Sequence, residues 1–414
     1  MLCSPTSPAM MAFQPSLSER SLPDAAPPAM AEPASAQPQQ RRVFLSPPHL
    51  AGGELDALQA MLDSGWVAPA GPVPAAFEQA IARAIGIPHV ATVTSGTAAL
   101  HLGFQLLGVC PGDEVWTSAL TFVASIGPAV QMGATPRFLD VTPDTWTMDV
   151  DLLRRELASA ARRGRLPRVV VPVDLYGQPA DMPAIVEACA HWGVPVLSDS
   201  AESLGAIQHG RHAGADARLM AISFNGNKII PAGGGGALAS EDAVLIARAR
   251  QLASQAKEAA PHYQHEVVGY SYAMSSVLAA IGLAQIAALQ SRVDARRAIH
   301  TRYRAALHDL PGMRFIGEPN WARSNRWLTV IRLDPSEAWV DRETIRRALA
   351  AEQIESRPVW KPLHLQPAFR TAPQVGGDVA ATLFEQGLCL PSGSSLSPQD
   401  QNRVIAVIRR CFRA

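Results

Sequence analysis

The chain has 414 residues, 48% of them hydrophobic, with Lys+Arg and Asp+Glu both at 36, enough apolar side chain for a large domain and a smaller one. The balanced charge excludes a global electrostatic footprint for nucleic acid or an anionic membrane surface. Five scattered cysteines, Cys3, Cys110, Cys189, Cys389 and Cys411, contain no CxxC pair and suggest neither a disulfide framework nor a metal site; with no long unbroken apolar run and no signal-like N-terminus, a cytoplasmic chain with no membrane partner is expected.

Residues 1 to 42 are dominated by Pro, Ala, Ser and Gln and read as a disordered tail. Folded sequence is expected from Val43, with a large α/β domain over 43–290 and a small C-terminal domain over 291–414. From His89 onward short β-branched runs alternate with helical stretches, the pattern of a parallel sheet covered by helices. Strands are expected at 89–93, 114–117, 135–140, 168–173, 195–198, 219–223 and 236–239. A helix at 98–107 places Leu100, Phe104 and Leu107 at helical spacing. Segment 277–289 has no charge and reads as a helix buried on most sides, between domains or subunits. A charged helix with Arg292, Arg296 and Arg297 follows. A strand at 327–333 and helices at 342–351 and near 401–412 make the smaller domain α+β.

Three short motifs could carry chemistry. Ser95-Gly96-Thr97-Ala98-Ala99-Leu100 follows a strand and opens a helix, so it suits either a phosphate on the helix N-terminus or a plain hydroxyl cap. Asp199, at the expected carboxyl end of a strand, suits either a working carboxylate or a turn residue. Lys228, in Ser223-Phe224-Asn225-Gly226-Asn227-Lys228 before Gly233 to Gly236, suits either an amine nucleophile or an exposed loop lysine. The chain has no GxxxxGK[ST] and no GxGxxG nucleotide fingerprint. A phosphate anchor, a carboxylate and a lysine are together the parts needed to hold pyridoxal phosphate (PLP). Phe122 lies where an aromatic could stack on the cofactor ring or fill the core. Arg357, Trp360, Lys361 and His364 form a cationic and aromatic cluster that fits either a substrate cleft or a Pro-bounded linker. His262, Tyr263 and His265 read as a polar loop.

These motifs in this order resemble the sugar aminotransferases of the DegT/DnrJ/StrS family. The similarity spans residues 43–412 and is greatest to UDP-N-acetylbacillosamine-type transaminases. It runs through Leu45-Ser46-Pro47-Pro48-His49-Leu50, Trp66-Val67-Ala68-Pro69, Ser95 to Leu102, Leu120 to Ser125, Ser223 to Lys228 and Arg357 to His364. The resemblance implies an α/β PLP-dependent transferase of fold type I, with a mostly parallel sheet in the large domain, acting as a homodimer. It implies transfer of an amino group from glutamate to the C4 ketone of a nucleotide-linked 4-keto-6-deoxy sugar, for surface polysaccharide, lipopolysaccharide or glycan biosynthesis.

On that resemblance Lys228 would bind the cofactor aldehyde and Asp199 would pair with the pyridine nitrogen. Gly96, Thr97 and Ser223 would hold the phosphate, Phe122 would stack on the ring and Glu202 would sit beside the ring hydroxyl. Relatives with histidine in place of Lys228 are sugar 3-dehydratases, so the lysine implies a transaminase. The chain departs from relatives at Gly269-Tyr270-Ser271-Tyr272-Ala273, where an asparagine that reaches the partner subunit's phosphate is replaced by Ser271 and an arginine by Ala273, and at Pro231-Ala232 after the lysine. Those departures keep open a non-catalytic or regulatory family member. A GDP- or dTDP-linked sugar is the other alternative.

Overall fold

The structure is a computed structural model that describes residues 41–413; the tail expected over residues 1–40 lies outside the described residues. Seven strands form the main sheet: β1 (His89–Val93), β2 (Glu114–Ser118), β3 (Thr135–Leu139), β4 (Val169–Val171), β5 (Leu197–Asp199), β6 (Leu219–Ser223) and β7 (Gly236–Ser240). They run in two ladders, β1-β7-β6-β5 and β4-β2-β3, which meet through parallel bridges from Val170 to Val196 and from Val173 to Asp199. Nearly every residue of these strands is buried, as expected when helices cover both sheet faces.

The strands pair in parallel except β7, which runs antiparallel to both β1 and β6. The alternating pattern suggested a parallel strand there. A parallel return needs a crossover, usually a helix, and segment 224–235 between β6 and β7 contains none. The same reversal drives a loop over the end of the sheet, and Lys228 lies in it.

Helix α1 (Gly96–Leu106) begins two residues before the expected start, because Ser95 caps it: its Oγ accepts from the Ala98 N–H at 3.0 Å. The helix lies so close to β6 and β7 that an added methyl clashes with backbone at one glycine and is tightly crowded at another. A Cβ on Gly236 would sit 2.5 Å from the Gly96 nitrogen and the Ser95 carbonyl, and one on Gly96 would meet the Ser223 Cβ at 3.0 Å. Helix α2 (Ser276–Ile286) carries no charged residue and packs its Gly282 against Phe77. It breaks into α3 (Leu289–Leu307), which carries the expected arginines.

The C-terminal part builds an antiparallel sheet from Met313–Phe315, Thr329–Leu333, Gly387–Leu390 and Arg357–Pro358. Helices Arg342–Ala351 and Pro398–Cys411 close its core through Ile345, Leu349, Val404 and Ile408. Strand Gln374–Val375 returns to pair in parallel with β3. Arg296 of α3 is buried with no carboxylate partner among the described residues. Its guanidinium donates to the carbonyls of Trp327 and Ser392 and to Ser46 Oγ, which ties the chain entry, α3 and the segment before strand Thr329–Leu333 together. Burial pulls its pKa down to about 9.

Two outcomes follow from this packing. Gly236→Ala forces the added methyl into the α1 entry turn and lowers stability by about 2–4 kcal/mol, measurable by urea denaturation. His212 is buried and neutral: Nε2 accepts from the Gly205 N–H and Nδ1–H donates to the Ala213 carbonyl, and burial pulls its pKa down to about 4. The unfolded chain therefore binds a proton that the fold refuses, so this contribution is complete above about pH 6.5 and is lost as pH falls toward 4. A His212→Gln variant is expected to show a shallower drop in Tm between pH 7.5 and 4.5 than the parent.

Candidate active site

The carboxyl ends of β1, β2, β5 and β6, together with the loop after β6, converge on one cavity of about 580 Å³. In open α/β sheets this is where ligands sit. Gly96, Thr97, Phe122, Asp199, Glu202, Ser223 and Lys228 all line it.

Asp199 ends β5 and is only 6% exposed. Its Oδ2 accepts from Ser125 Oγ at 2.6 Å and its Oδ1 from the Ala201 N–H at 3.2 Å. Ser125 Oγ lies 2.7 Å from Thr121 Oγ1; because the serine donates to Asp199, the threonine donates to the serine. Burial pushes the Asp199 carboxyl above the usual range, while Ser125, Ala201 and the nearby Lys228 pull it down. Asp199 is therefore a turn residue that accepts the Ala201 N–H and also a buried carboxylate on the cavity wall.

Glu202 is equally buried. Its Oε2 accepts from the Tyr176 N–H at 2.7 Å, and its Oε1 lies 3.6 Å from Lys228 Nζ. Burial raises its pKa, and the Lys228 charge opposes that shift. The Lys228 side chain is 13% exposed, which excludes a solvated loop lysine. Its Nζ stands 4.2 Å from the centre of the Trp327 ring, a cation–π contact strengthened by desolvation.

The aromatic wall is continuous. The Tyr176 ring stacks on Trp327 at 6.4 Å and on Trp360 at 6.1 Å, and its hydroxyl accepts from the Trp360 N–H at 2.9 Å. Tyr176 has φ 53°, a strained conformation held by these contacts and by Glu202. Phe122 is 51% exposed, with its ring 5.3 Å from that of Trp360, so it is not a core residue.

The remaining sequence candidates divide. Trp360 lines the main cavity, and Arg357 and Lys361 line an adjoining one of about 570 Å³ that shares Asn227, Trp327 and Trp360 with it. His364 lines neither. The Leu363 N–H donates to the Ala119 carbonyl, and the short turn Leu363–Leu365 carries His364 toward Asp140 and Asp378 instead. Ser271 is exposed and lines neither cavity; it bridges Ser254, so within this chain it does not join the other cofactor candidates. Sequence reasoning passed over Ser125, Tyr176 and Trp327. The Thr121-to-Ser125 spacing was a usable signal for the first. Trp327 reads in sequence as the first residue of a strand, whereas the strand begins at Thr329.

The arrangement offers three functions on one cavity wall. The Ser95 cap takes the Ala98 N–H, and the first-turn N–H groups before it lack helical partners and can take a phosphate. Asp199 can accept from a protonated nitrogen. Lys228 can act as nucleophile, acid or base. Among the described residues no group of three or more His, Cys, Asp or Glu side chains is placed to hold a metal ion.

Comparison with known proteins agrees with this geometry. The model of the DegT/DnrJ/EryC1/StrS aminotransferase family matches residues 48–409. EpsN of Bacillus subtilis (strain 168), named for pyridoxal phosphate-dependent aminotransferase activity, is 46% identical over 90% of this chain and 96% of its own. A GDP-perosamine synthase of Caulobacter vibrioides is 33% identical over 89% of this chain and 97% of its own. The crystal structure of the aminotransferase TlmJ from Streptoalloteichus hindustanus superposes with a TM-score of 0.82 at 31% identity, covering 90% of this chain and 99% of that one. The chain therefore belongs to the DegT/DnrJ/EryC1/StrS family of PLP-dependent sugar aminotransferases, with the fold type I architecture of that family.

Proposed function

We propose that this protein transfers an amino group from glutamate to the C4 ketone of a nucleotide-linked 4-keto-6-deoxy sugar, with Lys228 as the residue that binds PLP. The observation that carries the reading is the presence of Lys228, Asp199 and the α1 N-terminus on one cavity. The residues fit the cofactor. Its phosphate would lie on Gly96, Thr97 and Ser223, its ring against Phe122, its ring nitrogen at Asp199 and its ring hydroxyl near Glu202. Two buried carboxylates face a single ammonium there, so a protonated ring nitrogen supplies the positive charge the cavity lacks. When bound, PLP supplies an electron sink for negative charge at the carbon that gains or loses the amino group.

The chain's own residues do the rest. Lys228 Nζ, once free, carries the proton to and from the substrate carbon. Glu202 Oε1, 3.6 Å away, holds that amine in place, and Trp327 shields it from water. Asp199, oriented by Ser125, keeps the cofactor nitrogen protonated. Arg357 and Lys361, in the adjoining cavity with Trp360, meet the diphosphate and nucleotide. A homodimer would bring Ser271 to the partner's cofactor phosphate. His364 has no part in this reading.

A second reading keeps the chemistry and changes the nucleotide to GDP, favoured by the similarity to GDP-perosamine synthase. A non-catalytic role, suggested by Ser271, Ala273 and Pro231, is disfavoured by the buried lysine.

The PLP-loaded protein is expected to change its visible absorbance on addition of glutamate and to release 2-oxoglutarate. Lys228→Ala is expected to do neither, a loss of about a thousandfold or more in rate. An unresponsive parent protein would favour the non-catalytic reading. Purified UDP-, GDP- and dTDP-linked 4-keto sugars, offered with glutamate, are expected to give highest kcat/KM with UDP. Preference for GDP would transfer the assignment to the second reading.

A further inference from the structure

A third cavity, of about 570 Å³, lies between α3 and the segment 313–318 and shares no residue with the two already described. One face of α3 supplies Arg297, His300 and Arg304 at helical spacing, and Arg326 and Glu318 enter from the loops flanking Ala322–Arg323. From these groups we propose that the cavity binds a small phosphate monoester as a dianion, at a site separate from the active cavity.

The charges argue for it. Three guanidinium groups, those of Arg297, Arg304 and Arg326, face a single carboxylate. Glu318 pairs with Arg297 and lies 3.5 Å from Arg326, which leaves Arg304 with no ion-pair partner among the described residues and the cavity with an excess of two positive charges. The remaining arginine on its wall, Arg314, is already held by Glu337 through two hydrogen bonds. Arg326 is only 6% exposed and shares its one carboxylate, Glu318, with Arg297, so a further anion offsets positive charge that water does not disperse. A phosphate monoester carries close to two negative charges and presents oxygens that match the planar guanidinium fork.

Two further observations point to a ligand. His300 lines the cavity, is 7% exposed and has no hydrogen-bond partner at Nδ1 among the described residues; in the tautomer that carries the proton on Nδ1 it can donate to a bound oxygen. Arg326 adopts φ 52°, a left-handed backbone that a long side chain seldom takes and that places a strained residue in the cavity wall. Met313, Phe315 and Ile316 give the same cavity an apolar side, which suits an organic body attached to the phosphate better than the free ion.

The test is isothermal titration calorimetry of the PLP-loaded enzyme, desalted to remove all free PLP because PLP is itself a phosphate monoester, at low ionic strength, with inorganic phosphate and with glucose 1-phosphate, in the parent and in Arg304→Gln and Arg304→Glu. Arg304 is exposed, so its replacement leaves the fold intact. Saturable binding of one ligand per chain is expected, tighter for the sugar phosphate and weakened about tenfold or more by Arg304→Gln and further by Arg304→Glu. Equal affinity for the two ligands would support the site with free phosphate as its occupant. Absence of saturable binding, or binding unchanged in both variants, would overturn the proposal. None of these readouts depends on sugar turnover, so failure here leaves the proposed transamination standing.

Discussion

The structure is organised around the burial of charge at the carboxyl ends of the sheet. Asp199 and Glu202 lie within the protein, and the ammonium of Lys228 is the nearest cation to both. A third carboxylate, Asp174, accepts from Ser200 Oγ, Ser203 Oγ and the Ala180 N–H; burial still pushes its pKa up to about 6. Carboxylates taken out of water are tolerated only when donors and cations are set firmly around them. Ser125, Ala201 and Tyr176 provide those donors, each from a different element. The cavity therefore arrives with its polar groups already oriented, the condition under which electrostatics assists a reaction instead of following it.

The C-terminal part supports the same cluster. Asn325 sends its side-chain amide to the carbonyls of Glu202 and Leu204 and accepts from the Trp327 N–H, so one buried residue fixes both the loop that carries Glu202 and the tryptophan over Lys228. It packs on Gly177, where a Cβ would meet the Asn325 Oδ1 at 1.8 Å. The Trp327 indole N–H donates to the Asn227 carbonyl, and Arg296 holds the Trp327 carbonyl from beneath. Lys228 is thus positioned by residues about a hundred positions away in sequence.

That distance explains what could be read from sequence and what could not. The strands at 89–93 and 219–223 are those observed, because β-branched runs bounded by turn residues are local signals. Helix Arg342–Ala351 was legible for the same reason: its apolar face repeats at helical spacing. Gly96, Asp199 and Ser223 could be singled out because each closes a strand or opens the helix after one; Lys228, five residues beyond β6, stood out by the glycine-rich segment that follows it. The reversal of β7 was not, since strand direction depends on how a loop folds. Tyr176 and Trp327 were invisible as site residues, because the first lies in a turn without periodicity and the second reaches Lys228 only through tertiary packing. His364 shows the converse: it sits in a motif rich in functional residue types, yet a backbone hydrogen bond at Leu363 turns it away from the cleft.

The chain contains only three lysines, Lys228, Lys257 and Lys361, so the central claim reduces to one of three peptides. Borohydride reduction of the PLP-loaded protein, followed by proteolysis and mass spectrometry, would locate the covalently trapped cofactor. The account predicts the pyridoxyl mass on the peptide containing Lys228 alone. Its appearance on Lys257 or Lys361, or on none of the three, would contradict the assignment of this cavity as the cofactor site.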